Sequence, residues 1–282
     1  VTEGARLEAA RKLMPSNSLF GPDRNILPMP SNEAVLGLYI LSKKGKSSQK
    51  TYTNLSAAEA SFLKNEITLN DEVTIQGKKV SLGWAILYKN IPAKYHSIIK
   101  GKSLDKGVIQ DLIKAIYKES ASKAADLLNT LKDLGNKYVY LAGFSISLND
   151  ITTPKALDKQ VASLVDVYGK DNKYADNLDK GMAKTQKTFK SFFDKNRLYD
   201  MKRSGAKGKW SNLTQMLYTP GFMEGVAGQG LQDNSLSTGY AQGMNASDYI
   251  NTQFAARSGM ISKVRGVAKG GELSKDEVHA GM

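Results

Sequence analysis

The sequence contains no cysteine and only two histidines, His96 and His279. The lack of cysteine excludes a disulfide framework and any metal site with thiolate ligands. Two histidines so far apart in the chain do not suggest a Ser-His-Asp triad or a metal site built from several imidazoles. Catalysis of these kinds is therefore not expected from this chain.

Long apolar runs are also missing. The longest nearly uncharged apolar stretch, YVYLAGFSISL at 138–148, is too short to span a bilayer. The first residues, VTEGARLEAARKLM, lack the apolar centre of a signal peptide and predict a charged helix instead. The sequence therefore predicts an intracellular protein, or one packaged from a cytoplasm, that is neither secreted nor bound to a membrane.

Acidic residues are few compared with basic ones. Forty Lys and Arg residues stand against 27 Asp and Glu residues, which gives a net charge of +13. Hydrophobic residues at 41% and charged residues at 24% are ordinary for a soluble chain of 282 residues that can bury a core. The charge indicates a polyanionic partner or an acidic protein partner, as in ribosomal, capsid and assembly proteins.

The apolar periodicity predicts a mostly helical chain with a small β component. Helices are predicted at 2–14, where Thr2 is the N-cap, and at 56–67, 103–134, 155–170 and 172–195. Other segments are a buried strand or helix at 33–44, an exposed basic loop at 43–54, and a hairpin at 72–88 that turns at QGKK and continues as a buried strand. The segment 172–195 is polar on nearly all sides and so has little apolar surface to bury. The last two helices are therefore predicted to form a protruding antiparallel pair.

The segment 243–275 predicts one long helix with two different faces. The apolar face holds Ile250, Phe254, Ile261, Val264 and Ala268, and the opposite face holds Gly259, Gly266 and Gly270. Each glycine inside a helix costs about 1 kcal/mol relative to alanine. The glycine face therefore indicates a large partner that approaches closely; the alternatives are tight helix packing within the protein or a frayed chain end.

A lysine between two glycines marks the segment RSGAKGKWSNLTQM at 203–216. Lys207 could meet a phosphate there, with neighbouring backbone N–H groups forming a nest that binds an anion. The alternative is a solvated loop. The stretch GAKGK is too short and wrongly spaced for a P-loop, which has four residues between its first Gly and its Gly-Lys pair.

Several segments, in the right order, resemble the largest, β′-type subunit of multisubunit DNA-dependent RNA polymerases. RLYDMKRSGAKGKWSNLTQM (197–216) resembles the motif before the bridge helix, with lysine where eukaryotic and archaeal members have it and bacterial members have arginine. YAQGMNASDYINTQFAARSGMISKVRGVAKGGELSK (240–275) is similar to the bridge helix itself. Upstream, 6–41 is similar to the segment after the catalytic aspartate loop, SLGWAILYKNIP (81–92) to the pore region, and LAGFSISLNDI (141–151) to the junction of pore and funnel.

This resemblance implies an α+β, mostly α-helical fold: a non-globular, multi-segment piece of a large subunit with a long C-terminal bridge helix. The implied segments are 1–32 after the metal loop, 33–141 as a pore-like region, 142–200 as a funnel-like helical hairpin, 201–240 around the nucleotide, and 241–282 as the bridge helix.

The resemblance also implies roles for individual residues. Lys207 is expected to reach the triphosphate of the incoming nucleotide, and Asn212 and Gln215 to orient or buttress that site. The expected contacts to template or other nucleic acid are Arg257, Lys263, Gly266, Val267, Ala268 and Lys275. In the family a threonine–alanine pair touches the template base; here it aligns with Val267 and Ala268.

Two segments found in members of this family do not occur in the 282 residues: the Asp-Phe-Asp-Gly-Asp loop that binds the catalytic Mg²⁺, and the trigger loop. The resemblance therefore implies that this chain carries no catalytic residue, is inactive alone and relies on Mg²⁺ bound by a partner subunit. The implied partners are an N-terminal β′ piece with the metal loop, a C-terminal piece with the trigger loop, β-like subunits, DNA template, RNA and nucleoside triphosphates, without a membrane. The resemblance further implies a split subunit, an arrangement associated with giant bacteriophage polymerases, in the host-cell cytoplasm or packaged in a virion.

Two other functions remain open. A non-catalytic basic protein associated with nucleic acid, such as a virion structural protein, predicts no fixed stoichiometry with a chain that carries the aspartate loop. A stand-alone nucleotide-binding enzyme built on GAKGK predicts specific ATP or GTP binding by the isolated chain.

Overall fold

The computed structural model describes residues 2–14, 16–23, 25–168, 174–223, 236, 240 and 243–281, without the side chains of 166, 168 and 174–179. The chain forms two compact units. The first consists of Val1–Ser145 and Arg197–Gly208, and the second of Ile146–Asn196 and Lys209–Met282. The five-segment division implied by the resemblance stays a prediction.

Helices make up most of both units, as predicted. In chain order they are α1 (Glu3–Glu8), which continues as a π-helix (Ala9–Leu13), α2 (Glu33–Ser42), α3 (Leu55–Leu63), α4 (Leu82–Asn90), α5 (His96–Ile99), α6 (Lys106–Tyr117), α7 (Ala121–Leu141), α8 (Leu148–Ile151), α9 (Lys155–Tyr168), α10 (Tyr174–Thr188), α11 (Lys190–Phe193), α12 (Arg197–Ser204), α13 (Trp210–Leu217) and α14 (Ala246–Ala280). The strands are β1 (Ser47–Tyr52), β2 (Glu72–Ile75) and β3 (Lys78–Ser81), and a 3₁₀ turn spans Ala93–Tyr95.

The N-terminal ends of several helices follow from single side chains. The hydroxyl of Thr2 accepts the N–H of Ala5 at the start of α1, as predicted. The side-chain oxygen of Asn54 accepts the N–H of Ala57 in the same way and starts α3. Such caps satisfy backbone donors that have no partner inside the helix. The predicted helices at 2–14 and 56–67 are confirmed, and the helical pattern predicted at 103–134 forms two helices, α6 and α7, with a break at 118–120.

Two of the sequence predictions are wrong. The exposed basic loop at 43–54 contains β1, which pairs parallel with β2 through its backbone and therefore needs no apolar pattern. The residues after Ser81, predicted as a buried strand, form α4. The hydroxyl of Ser81 accepts the N–H of Trp84 and so starts a helix. The periodicity of a short apolar run does not distinguish a buried helix from a buried strand.

The hairpin predicted at QGKK is confirmed. Strands β2 and β3 are antiparallel, with Val73 opposite Val80. Gln76 and Gly77 connect them with φ angles of 50° and 76°. Two residues with positive φ match the right-handed twist of the strands, so this turn closes the hairpin tightly.

Helix α2 lies at the centre of the first unit. It is apolar on all sides, and its residues Ala34 to Ser42 are buried. A Cβ atom added to Gly37 would lie 1.9 Å from the carbonyl oxygen of Gly135 in α7, and one added to Gly83 in α4 would lie 2.1 Å from that of Leu41. These glycines therefore bring the backbones of three helices into direct contact.

The second unit contains the predicted pair of helices, α9 and α10. Gly181 of α10 faces the side chain of Leu164, and Met182 and Thr185 on the same helix are fully buried. The two helices are confirmed, whereas the expectation that α10 has little to bury is wrong for this strip. The connection at 169–172 lies outside the described residues.

Helix α14 is confirmed as one long C-terminal helix. Its N-cap Asn245 accepts the N–H of Asp248 at 2.8 Å. Asp248 and Ala255 are its buried residues, whereas every residue from 261 to 281 is exposed. At 1.5 Å per residue, this exposed part is roughly 31 Å long. No helix in the described ranges, α14 included, has the length and apolar character needed to cross a bilayer.

Candidate nucleotide and nucleic-acid site

Helix α12, which precedes Lys207, is fixed to the first unit by a partly buried ion pair. Lys43, directly after α2, donates to both carboxylate oxygens of Asp200, at 2.8 and 2.7 Å. The side chains of Lys43 and Asp200 are 27% and 11% exposed. Removing one partner of such a pair leaves a poorly solvated charge, so the pair holds α12 against the end of α2.

Lys207 lies on the glycine-bounded turn that follows α12. Gly205 and Gly208 have φ angles of 76° and 88°, which side chains rarely adopt. A Cβ added to Gly205 would also lie 2.9 Å from the Cβ of Lys106. The two glycines are therefore required by the backbone, and the Lys207 side chain between them is exposed.

The backbone N–H groups of this turn are engaged within the turn itself. The N–H of Gly205 donates to the carbonyl of Lys202 at 3.1 Å, and that of Lys207 to the carbonyl of Met201 at 3.2 Å. The N–H of Ala206 donates to the side chain of Ser204 at 3.2 Å. These three donors are not free to form the anion-binding nest that the sequence suggested. The turn therefore offers an anion the ammonium group of Lys207.

Asn212 and Gln215 lie on α13, in the second unit. The side-chain oxygen of Asn212 accepts the N–H of Lys209 at 2.9 Å and helps to start the helix. Gln215 is half-buried. Because Lys207 belongs to the first unit and the two amides to the second, their joint action on one nucleotide stays a prediction.

The start of α13 is fixed by an aromatic contact. Trp210 is buried, and its ring meets the ring of Phe193 edge-on, with centroids 5.6 Å apart. Edge-to-face pairs of this kind add specific geometry to the burial of two large rings. The first turn of α13, which carries Asn212, is therefore well anchored in the second unit.

The residues of α14 predicted to contact nucleic acid are all exposed: Arg257, Lys263, Gly266, Val267, Ala268 and Lys275. A Cβ added to Gly259, Gly266 or Gly270 would meet no described atom within 4 Å. Packing within the chain thus does not account for the glycine face in the part of the protein that the structure describes. The apolar face is open as well, since Ile250, Phe254, Ile261 and Val264 are each more than half exposed.

Charge is concentrated in the middle of α14. Between 257 and 270 the helix carries only cationic residues among its charged ones: Arg257, Lys263, Arg265 and Lys269. The acidic residues of the exposed part, Glu272, Asp276 and Glu277, follow later. Such a basic stretch can neutralise phosphates of a nucleic acid. Arg265 is absent from the contacts predicted by resemblance, although this run of positive charge is visible in the sequence.

The described residues do not fit a metal centre. No three or more His, Asp or Glu side chains within them lie close enough together to hold an ion. No chemical step through Mg²⁺ therefore follows from these residues.

Comparison with known proteins gives one consistent family. The family model described as RNA polymerase Rpb1, domain 3, matches residues 23–151, and that of RNA polymerase Rpb1, domain 4, matches 150–249. The two consecutive domains of one subunit thus cover most of the chain in their natural order.

Curated relatives agree with this result. The chain is similar to the DNA-directed RNA polymerase subunit beta' of Aliarcobacter butzleri, with 26% identity over 98% of this chain and 20% of the relative. For the subunit of the same name from Campylobacter jejuni strain RM1221, the identity is 29% over 92% of this chain and 19% of the relative. The chain therefore spans about a fifth of the length of the curated relatives that it matches.

Proposed function

This chain belongs to the Rpb1 and β′ family of RNA polymerase large subunits, and we propose that it completes the active centre of a DNA-directed RNA polymerase. In this proposal the first unit supplies the pore-like region, α9 and α10 the funnel-like pair of helices, and α14 the bridge helix. The observation that carries the proposal is the 35-residue helix α14, which begins within the last residues matched by the two domain models and is exposed from 261 to 281.

The proposed role of Lys207 is to bind the triphosphate of the incoming nucleotide. Phosphoryl transfer is accelerated mainly by positioning and by stabilising the charge on phosphate oxygens. A single ammonium group on a turn fixed by two glycines and by the Lys43–Asp200 pair suits that task. Asn212 and Gln215 would orient the nucleotide from α13.

The proposed role of α14 is to contact template and other nucleic acid in a cleft. Gly266 lets a large planar group approach the helix backbone, and Val267 and Ala268 lie next to it. Arg257, Lys263 and Lys275 would neutralise phosphates, with Arg265 adding to them. Each phosphate contact would make binding more sensitive to salt.

The parts that these residues lack define the proposed partners. The magnesium-binding carboxylates and the trigger loop would come from outside the 282 residues, from further β′-like pieces that work with β-like subunits on DNA, RNA and nucleoside triphosphates. We further propose that the chain is one piece of a split subunit of a bacteriophage polymerase, in the host cytoplasm or in the virion.

Purification of the complex around this chain tests the proposal. We expect mass spectrometry to find a chain with an Asp-Phe-Asp-Gly-Asp loop in fixed stoichiometry, and the complex to copy a DNA template into RNA. The 282-residue chain alone should make no RNA. A complex without any such chain, or synthesis by the isolated chain, would contradict the proposal, and specific ATP or GTP hydrolysis by the isolated chain would favour a stand-alone enzyme.

A further inference from the structure

The first unit contains a cleft that the proposed function does not use. It has a volume of about 540 Å³ and lies between the segment after α2, the hairpin of β2 and β3, helix α4 and the residues that follow α5. We name it the lysine cleft after its four lysines, Lys43, Lys44, Lys79 and Lys100.

Positive charge dominates the lysine cleft. Glu72 is the acidic residue in its lining, and it lies 3.3 Å from Lys79 in an exposed pair that screens little of the total charge. Lys43 is neutralised by Asp200. Within the described residues, no carboxylate lies within 4.0 Å of the ammonium groups of Lys44 or Lys100. The cleft thus holds two cations free to meet an anion.

Two aromatic rings on successive turns of α4 form one wall of the cleft. The rings of Trp84 and Tyr88 are tilted by 34° with centroids 5.2 Å apart, and both side chains are half-buried. The indole N–H of Trp84 donates to the carbonyl of Ser42 at 3.2 Å, and His96 lies against Tyr88 with a centroid distance of 4.5 Å. The rings are therefore held in place, and part of their surface is open to a ligand.

The basic side of the cleft is held in place as well. The side-chain amide of Asn70 donates to the carbonyls of Ile40 and Lys43, at 2.6 and 3.1 Å. A Cβ added to Gly45 would lie 2.2 Å from the carbonyl oxygen of Asn70. The backbone that carries Lys44 is therefore packed directly on Asn70, and the cleft is formed before any ligand arrives.

We propose that the lysine cleft is a second nucleotide-binding site, separate from Lys207. Lys44 and Lys100 would bind the phosphates, while Trp84 and Tyr88 would stack on the base. Free cations beside an aromatic wall are the combination by which proteins hold nucleotides without reading their sequence. A ligand without negative charge would leave the ammonium groups unmatched, and an anion without a ring would leave the aromatic wall unused. The nucleotide could be a free triphosphate or the end of a single RNA strand.

The fluorescence of Trp84 can report ligand binding in the lysine cleft. The chain has two tryptophans, so the Trp210→Phe variant leaves Trp84 as the only indole. We expect ATP or a short single-stranded RNA to quench its fluorescence saturably. Lys44→Gln with Lys100→Gln should weaken this binding by about tenfold or more. The matched pair Lys46→Gln and Lys102→Gln, which makes the same charge change outside the cleft lining, should alter it less than about twofold.

The ligands and a third variant separate the possible results. If RNA binds more tightly than ATP, with the same dependence on Lys44 and Lys100, the ligand is the end of an RNA strand. If ATP binds more tightly than RNA, the ligand is a free nucleotide. An equal loss of affinity in the two double lysine variants would overturn the proposal. Inorganic triphosphate that binds as tightly as ATP would also overturn it. Tighter binding of oligoglutamate than of any nucleotide would also overturn it, in favour of an acidic protein partner.

The Lys207→Gln variant distinguishes this proposal from the polymerase function. The quenching of Trp84 should be unchanged, because Lys207 does not line the lysine cleft. Loss of the signal would assign it to the site proposed at Lys207 and would overturn the second site. The measurement needs no polymerase activity, so either proposal can fail while the other stands.

Discussion

Replacing Gly37 by alanine is expected to lower the free energy of unfolding of the first unit by about 3 kcal/mol, the upper part of the usual range for overpacking. The new methyl group would lie 1.9 Å from the carbonyl oxygen of Gly135, a backbone atom that cannot rotate away. Helices α2 and α7 would have to separate at the centre of the unit. Thermal unfolding followed by circular dichroism should show the main transition at a temperature roughly 6–12 °C lower.

Gly4→Ala is the matched control for this change. Gly4 lies in the exposed helix α1, and a Cβ added there would meet nothing within 4 Å. Alanine should therefore leave the transition unchanged or raise stability by up to about 1 kcal/mol, because it favours the helix. Equal melting temperatures for the Gly37 and Gly4 variants would show that the helices do not touch at Gly37.

Lys207→Ala is expected to lower kcat/KM for nucleotide addition by the assembled polymerase on the order of 100-fold, as the loss of one strong donor to a transition-state oxyanion does. The backbone of the turn is set by Gly205 and Gly208, so the substitution should not disturb the fold. Single-nucleotide addition on a primed template, measured over a range of nucleotide concentrations, gives kcat and KM separately.

Two variants make this result specific. Lys209→Ala removes another exposed cation two residues later and should change kcat/KM less than about threefold, because a solvated charge that does not touch the triphosphate contributes little. Lys207→Arg keeps the charge and should retain most of the activity. If Lys207→Ala adds nucleotides as fast as the unchanged enzyme, Lys207 does not bind the triphosphate.

Local side-chain patterns predicted much of the fold. The hairpin at QGKK, the cap at Thr2 and the long apolar stripe of α14 depend on neighbours in the chain, and each is confirmed. Strand β1 could not be predicted in the same way, because it is polar and owes its form to backbone pairing with β2. Helix α4 was mistaken for a strand because the apolar run after Ser81 fits both forms.

Contacts between distant segments were the least predictable. Gly37 and Gly135 lie 98 positions apart, and nothing local to either shows that their helices meet. The pairing of Lys43 with Asp200, 157 positions away, is equally hidden. The flanking glycines identify Lys207 as a candidate site residue from the sequence alone. The hydrogen bonds of the neighbouring N–H groups could not be predicted, because they depend on how α12 ends. The lysine cleft joins four segments, so no single stretch of sequence reveals it.

Photo-crosslinking can show whether α14 lies along the template in a working polymerase. A photo-crosslinking amino acid at Val267, which is 76% exposed, can be compared with one at Tyr140, which is 83% exposed in the first unit. In stalled elongation complexes, we expect crosslinks to the template strand near the growing RNA end from position 267 and few from position 140. No DNA crosslink from position 267, or equal yields from both positions, would show that α14 is not a bridge helix beside the template.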